Sequence, residues 1–107
     1  MKRGSIVTIA LQGDFGKARP ALVIQSDLFA QHPSVAVMAL SSEIIDAPLL
    51  RVMVQPSAEN GLRMQSQIVV DKIFTVRRKK IGAVIGQLED DVLMAVNRSL
   101  LVFLGVA

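Results

Sequence analysis

Arg19 and Pro20 close a crowded stretch, "GDFGKARPALVI", residues 13–24, in which two glycines, an aspartate, a lysine and an arginine share seven positions. Gly13 and Gly16 let the backbone turn where side chains would clash. Pro20 fixes its own φ and pushes Arg19 toward an extended conformation, which holds the guanidinium at the mouth of the aliphatic run that follows. A planar fork of donors in a fixed place grips phosphate oxygens bidentately. The same residues also suit an ordinary hairpin loop carrying a surface arginine.

Other stretches carry chemistry of the same kind. "LSSE", residues 40–43, offers two hydroxyls at a strand end, which either orient a ribose or phosphate oxygen or close the strand as a hydroxyl turn. Asp71 interrupts the apolar "VVDKI" as a general base or as the partner of a neighbouring cation. "RRKK", residues 77–80, is the densest charge run, either a solvated face or a phosphate contact. His32 is the single histidine, in "FAQHPS", and with no cysteine in the chain it reads as a loop residue rather than a metal ligand. No P-loop, GxGxxG or GxSxG is present.

The totals bound what these groups can serve. Twelve Lys and Arg against nine Asp and Glu give a net charge of +3, which permits a polyanionic partner without requiring one. Four Phe with no Trp or Tyr leave few platforms for stacking unpaired bases. The absence of cysteine excludes a disulfide framework and a thiol nucleophile. No apolar run reaches the roughly 18 residues of a membrane helix, and the "MKRG" start lacks a signal-peptide pattern, so a cytoplasmic protein is expected. At 107 residues the chain reads as one domain, residues 1–107, and its 51% hydrophobic content exceeds what one small core absorbs. A homodimer is therefore expected.

Positioning the candidates requires short strands. Alternating or continuous apolar runs predict strands over residues 5–12 (SIVTIALQ), 20–26 (PALVIQS), 35–40 (VAVMAL), 50–54 (LRVMV), 67–73 (QIVVDKI, continuing over 74–76) and 81–88 (IGAVIGQL). The unbroken run of the second suggests burial on both faces. "PSAENG", residues 56–61, is a turn, and Gly82 and Gly86 mark a bend or bulge. From Glu89 the period becomes helical, with Leu93, Val96, Leu100, Phe103 and Leu104 on one stripe. Three acids at its start suit the helix dipole, and Gly105 suits the C-terminal cap. The predicted class is α+β, mostly β: a small, strongly curved sheet or half-open barrel of about six to seven short, mainly antiparallel strands with a C-terminal helix.

Taken in order, "KRGSIV", "GKARPALVIQSD", "VMALSSE", "GLRMQSQIVVDKI", "IGAVIGQLEDDVL" and the terminal "LGVA" resemble the MazF/PemK family of toxin endoribonucleases over nearly the whole chain. The resemblance implies a homodimer of SH3-like or CcdB-like barrels, the toxin half of a type II toxin–antitoxin system. It implies metal-independent, cofactor-free cleavage of single-stranded mRNA at short sequences. The ribose 2′-hydroxyl attacks the adjacent phosphate and leaves a 2′,3′-cyclic phosphate and a 5′-hydroxyl. The implied partners are a small acidic MazE-like antitoxin and, only through the complex with it, operator DNA.

By the same resemblance Arg19 matches the catalytic arginine, Ser41 falls where the family has a catalytic threonine, and Asp71 matches a fifth-strand aspartate. RNA contacts are implied for Asp14, Lys17, Arg19, Ser42, Ser66, Gln67 and Arg77. Ser5 and Ala39 depart from the usual aspartate and proline, and Val69 stands where some members carry an arginine. Two other readings share the fold: a CcdB-like gyrase poison, whose action needs a C-terminal tryptophan this chain lacks, and an inactive barrel that binds antitoxin and DNA.

Overall fold

Strand β1 (Ser5–Ala10) sends Ile6 to one side of its sheet and Val7 and Ile9 to the other, and all three are buried. The same division runs through β2 (Ala18–Val23) and β3 (Ser34–Ser41). Leu22 and Met38 join Ile6, whereas Ala21, Val23, Val35 and Val37 join Val7. Both faces of the sheet are core, as the unbroken apolar run of β2 predicts. In the computed structural model, which describes residues 1–10 and 17–107, β4 (Arg51–Val54), β5 (Ser66–Arg77) and β6 (Ile81–Gln87) complete one antiparallel sheet. Its order is β4-β5-β3-β2-β1-β6. Helix α1 (Asp90–Leu104) follows. The expectations for Leu11 to Gly16, Gly13, Asp14 and Gly16 among them, lie outside the described residues.

One core layer lies between the sheet and α1, where Val96 is fully buried and Leu93 and Leu100 pack against Ile6, Leu22, Met38 and Ile68. The other lies inside the curl of the sheet, where Phe74, Val76 and Ile81 close over Val7, Val35 and Val37. Each buried aliphatic side chain contributes about 1.5–3 kcal/mol, enough to hold a sheet bent this far. The bend falls in β5. Met38 pairs with Ile73 but Leu40 with Ile68, so two steps along β3 face five along β5, and the surplus bulges at residues 69–72.

The edges β4 and β6 do not pair, so the barrel is half open. The β4–β5 connection fills the gap, with Gln87 N donating to Glu59 O at 2.9 Å. Gly61 has φ +71°, and a Cβ there would lie 2.0 Å from the Ile85 carbonyl oxygen, so only glycine fits this approach. β6 bulges near Gly86 and Gly82, as expected, since its register on β1 shifts on both sides of Val7. Asn60, fully buried, locks the connection. Its Oδ1 accepts from Ser57 N and Leu62 N, and its Nδ2 donates to Gln55 O and to Glu89 Oε1. Ser57 Oγ donates to Glu89 Oε2 at 2.7 Å, and this bond most of all holds the Glu89 carboxyl below its ordinary pKa.

Two predicted boundaries need correction. β2 ends at Val23 rather than residue 26, because Ser26 Oγ accepts from Leu28 N and caps a 3₁₀ turn, Asp27–Phe29. Gln25 bridges to Ala36 N and Ser34 O with its side chain instead of its backbone. The helical stripe holds for Leu93, Val96 and Leu100 but not for Phe103 and Leu104, which are 45% and 56% exposed. A 15-residue helix runs about 22 Å and overshoots the sheet. Gly105 caps it in the left-handed region, as expected. No described helix is long and apolar enough to cross a membrane.

Candidate functional site

The ends of β2 and β3 and the tail of the β4–β5 connection enclose a cavity of about 820 Å³. Arg19 and Pro20 enter from β2, Ser41, Ser42 and Glu43 from β3 and its exit, and Gly61, Arg63, Met64 and Ser66 from the connection and the start of β5. Arg19 is exposed and pairs with Ile9 of β1, so its backbone belongs to the ladder while its side chain lies at the strand's mouth. Proline suits the next position as a fixed φ that keeps the arginine extended.

Ser41 makes the hydroxyl turn and also lines the cavity. Its Oγ accepts from Glu43 N at 3.1 Å, which is the hydroxyl turn, and the residue still lines the cavity with its hydroxyl proton available to donate. Ser42 is exposed beside it. Ser66 lines the cavity, but its Oγ donates to Met64 O at 3.0 Å.

Gln67 is held inside the protein rather than in the cavity wall. It is 5% exposed, and its amide is committed inside the protein: Nε2 donates to Ile45 O at 2.9 Å, while Oε1 accepts from Ile45 N and from Arg51 Nη1. Arg51 Nη1 also donates to Glu43 O at 3.2 Å. Gln67 and Arg51 therefore pin the segment that carries Ser41, Ser42 and Glu43, and Gln67 presents no amide for RNA.

Asp71 does not join Arg19 and Ser41. It is exposed in the β5 bulge, outside the cavity wall. Its neighbour Lys72 lines a second cavity, about 420 Å³, with Arg19, Pro20, Ile9, Ala39, Leu40, Ile73 and Phe74. Arg77 lies at the other end of β5, and Lys17 is exposed one residue before β2. Sequence reading did not single out Glu43 or Arg63, which also line the cavity. Glu43 stands within the quoted "LSSE", but only the fold brings it to the same cavity as Arg19. His32 is a loop residue, its Nδ1 accepting from Ser34 N at 3.0 Å. Among the described residues no three His, Asp or Glu side chains gather as metal ligands.

This chain matches the family model of PemK-like, MazF-like toxins of type II toxin–antitoxin systems over residues 2–104. It is 41% identical over 108 residues to a probable endoribonuclease MazF of Mycolicibacterium smegmatis, covering 100% of this chain and 99% of that protein. Its backbone is similar to that of an endoribonuclease in complex with its cognate antitoxin from mycobacterial species, with TM-score 0.84, 21% identity, and 100% and 97% of the two chains covered. A MazE–MazF complex from Deinococcus radiodurans gives TM-score 0.80 at 20% identity, covering 100% and 97%.

Proposed function

We propose that this chain, which belongs to the PemK-like, MazF-like toxin family of type II toxin–antitoxin systems, cuts single-stranded RNA at the cavity that holds Arg19 and Ser41. The observation that carries this reading is their shared cavity, which is lined by both an arginine and a serine with a hydroxyl proton to donate. The ribose 2′-oxygen forms a bond to phosphorus, the bond from phosphorus to the 5′-oxygen breaks, and a 2′,3′-cyclic phosphate remains. Arg19 neutralises charge on the five-coordinate phosphorus, and Ser41 donates to a phosphoryl oxygen. Among the described residues that line this cavity Glu43 is the one acidic residue, and we assign its carboxylate the proton leaving the 2′-hydroxyl. The departing 5′-oxygen takes its proton from water. Asp71, in the bulge outside, has no place in this step. Arg63 and Ser42 are positioned to contact flanking nucleotides.

The chain acts as a homodimer held in check by an acidic antitoxin, and it meets operator DNA only through that complex. Leu101, Val102, Phe103, Leu104 and Val106 supply exposed apolar surface in keeping with assembly, and two structural neighbours are complexes of toxin with antitoxin. Its action on mRNA is cytoplasmic. The test is incubation of purified protein with RNA and with DNA of one sequence in EDTA, followed by end-group analysis. RNA fragments ending in a 2′,3′-cyclic phosphate are expected. Intact RNA, or cut DNA, overturns the reading.

A further inference from the structure

Beyond the cavity that holds Arg19, the far end of β5 forms a third hollow, about 530 Å³, lined by Pro33, Ser34, Arg77, Arg78 and Lys79. Three cations converge there, and no carboxylate among the described residues lines it. The cluster is built on a fixed frame. Arg78 N donates to Pro33 O at 2.8 Å, its Nε to His32 O at 2.8 Å and its Nη2 to Phe29 O at 3.3 Å. These bonds tie the 3₁₀ turn Arg78–Lys80 to the loop after the turn Asp27–Phe29. They also hold the backbone of Phe29, a residue 56% exposed, against Arg78 at the rim of the cluster.

Like charges held together repel unless a polyanion joins them, and an exposed aromatic beside cations is the surface on which an unpaired base stacks while its phosphates are gripped. We propose that this hollow is a second RNA contact, in which Arg77 and Lys79 hold backbone phosphates and Phe29 stacks a base outside the sequence that is cut. β5 relates it to the first site: Lys72 shares a cavity with Arg19, and Arg77 lies about 16 Å further along the strand, a span a few nucleotides cover. The inference rests on the RNA reading above. An acidic peptide is the other polyanion such a surface would attract. Among the described residues the hollow's only apolar lining residue is Pro33, a poor seat for the buried anchors that slow release of a folding tail.

The test compares binding of two uncleavable RNAs, about 6 and about 20 nucleotides long, sharing one cut sequence read from fragment ends of a long transcript and carrying a 2′-deoxy sugar there. The parent is expected to bind the longer RNA at least about tenfold tighter. Phe29→Ala should lose about tenfold of that preference, the scale of one stacked base. Arg77→Ala/Lys79→Ala should lower the steepness of log affinity against log salt by about 1.4, from 0.7 per phosphate on a single strand. Arg78 is left in place because it holds the loop. A parent with no length preference, or variants that keep both preference and slope, overturns the proposal. So does a variant that keeps the RNA preference but loses affinity for an acidic antitoxin peptide. A parent that cuts no RNA brings down the nuclease reading alone, and oligouridylates of the same two lengths then decide whether this contact exists.

Discussion

Arg19 and Ser41 lie on adjacent strands, each two residues beyond the last rung that pairs β2 with β3. The register pairs Val23 with Val37, Leu22 with Met38 and Ala21 with Ala39; beyond that rung Arg19 stays paired with Ile9 of β1 and Ser41 with Gln67 of β5. Both then line one cavity. A guanidinium and a hydroxyl 22 residues apart in sequence are thus brought to one cavity by the strands that carry them.

Removing the guanidinium should therefore abolish chemistry without disturbing the fold. Arg19→Ala is expected to lose at least ~100-fold in kcat/KM, the scale of one preorganised donor, with its melting temperature close to the parent's. Arg19→Lys should recover only part, since an ammonium lacks the fork. Cleavage of a fluorogenic oligoribonucleotide and a thermal melt on the same samples check both. An Arg19→Ala protein that cuts like the parent would mean that the arginine is a surface residue after all.

The carboxylates divide by position. Glu43 lines the cavity and Asp71 does not, so Glu43→Gln should lower kcat by about 10²–10⁴, the range for a positioned proton acceptor. Asp71→Asn should cost far less. The reverse order of losses in single-turnover cleavage would return the proton to Asp71 and place substrate across the β5 bulge.

What was legible in the sequence follows from how each residue acts. Strands show because apolar residues repeat, and Arg19 shows because Pro20 fixes its neighbour. Gln67 does not show, since an amide beside an apolar run reads as a polar strand end. Its work depends on Ile45 and Arg51, which only the folded chain brings to it. Glu89 reads as one of three acids at a helix start, yet its side chain makes no cap and bonds to Ser57 and Asn60 instead. The β5 bulge hides too: "VVDKI" breaks strict alternation at Asp71 and Lys72, but nothing local tells a bulged Asp71 from a cavity residue.

Gln67 gives a direct test of positioning. Gln67→Leu fits the space but strands the Ile45 backbone groups and part of Arg51, a loss of about 1–3 kcal/mol for each buried group left unpaired. The segment holding Ser41 and Glu43 should then wander, and kcat should fall more than the remaining folded fraction explains. Gln67→Glu, which keeps the acceptor for Arg51 and Ile45 N, should retain more activity than Gln67→Leu. Equal kcat in all three proteins, corrected for folded fraction, would show that the clamp serves stability alone.

Glu89 couples acidity to the same cavity. Hydrogen bonds from Ser57 first, and then from its own backbone and Asn60, outweigh burial and hold its carboxyl below the ordinary value. The folded state therefore binds the proton less readily than the unfolded chain. The stabilisation is fully present above the unfolded pKa of about 4.3 and is lost as pH falls through the lower folded value. Asn60 belongs to this latch, and Gly61 and Leu62, the next two residues, line the cavity. Protonation should thus loosen the cavity wall as well as the helix start. Thermal melts of the parent between pH 6 and pH 3 (about one and a half decades either side of the unfolded pKa) should show a steeper fall than those of Glu89→Gln, whose amide carries no charge to lose. Near neutral pH the order should reverse, with Glu89→Gln the less stable, because its amide accepts through one oxygen where the carboxylate accepts through two. Parallel pH curves for the two proteins would show that the latch is not what acid breaks.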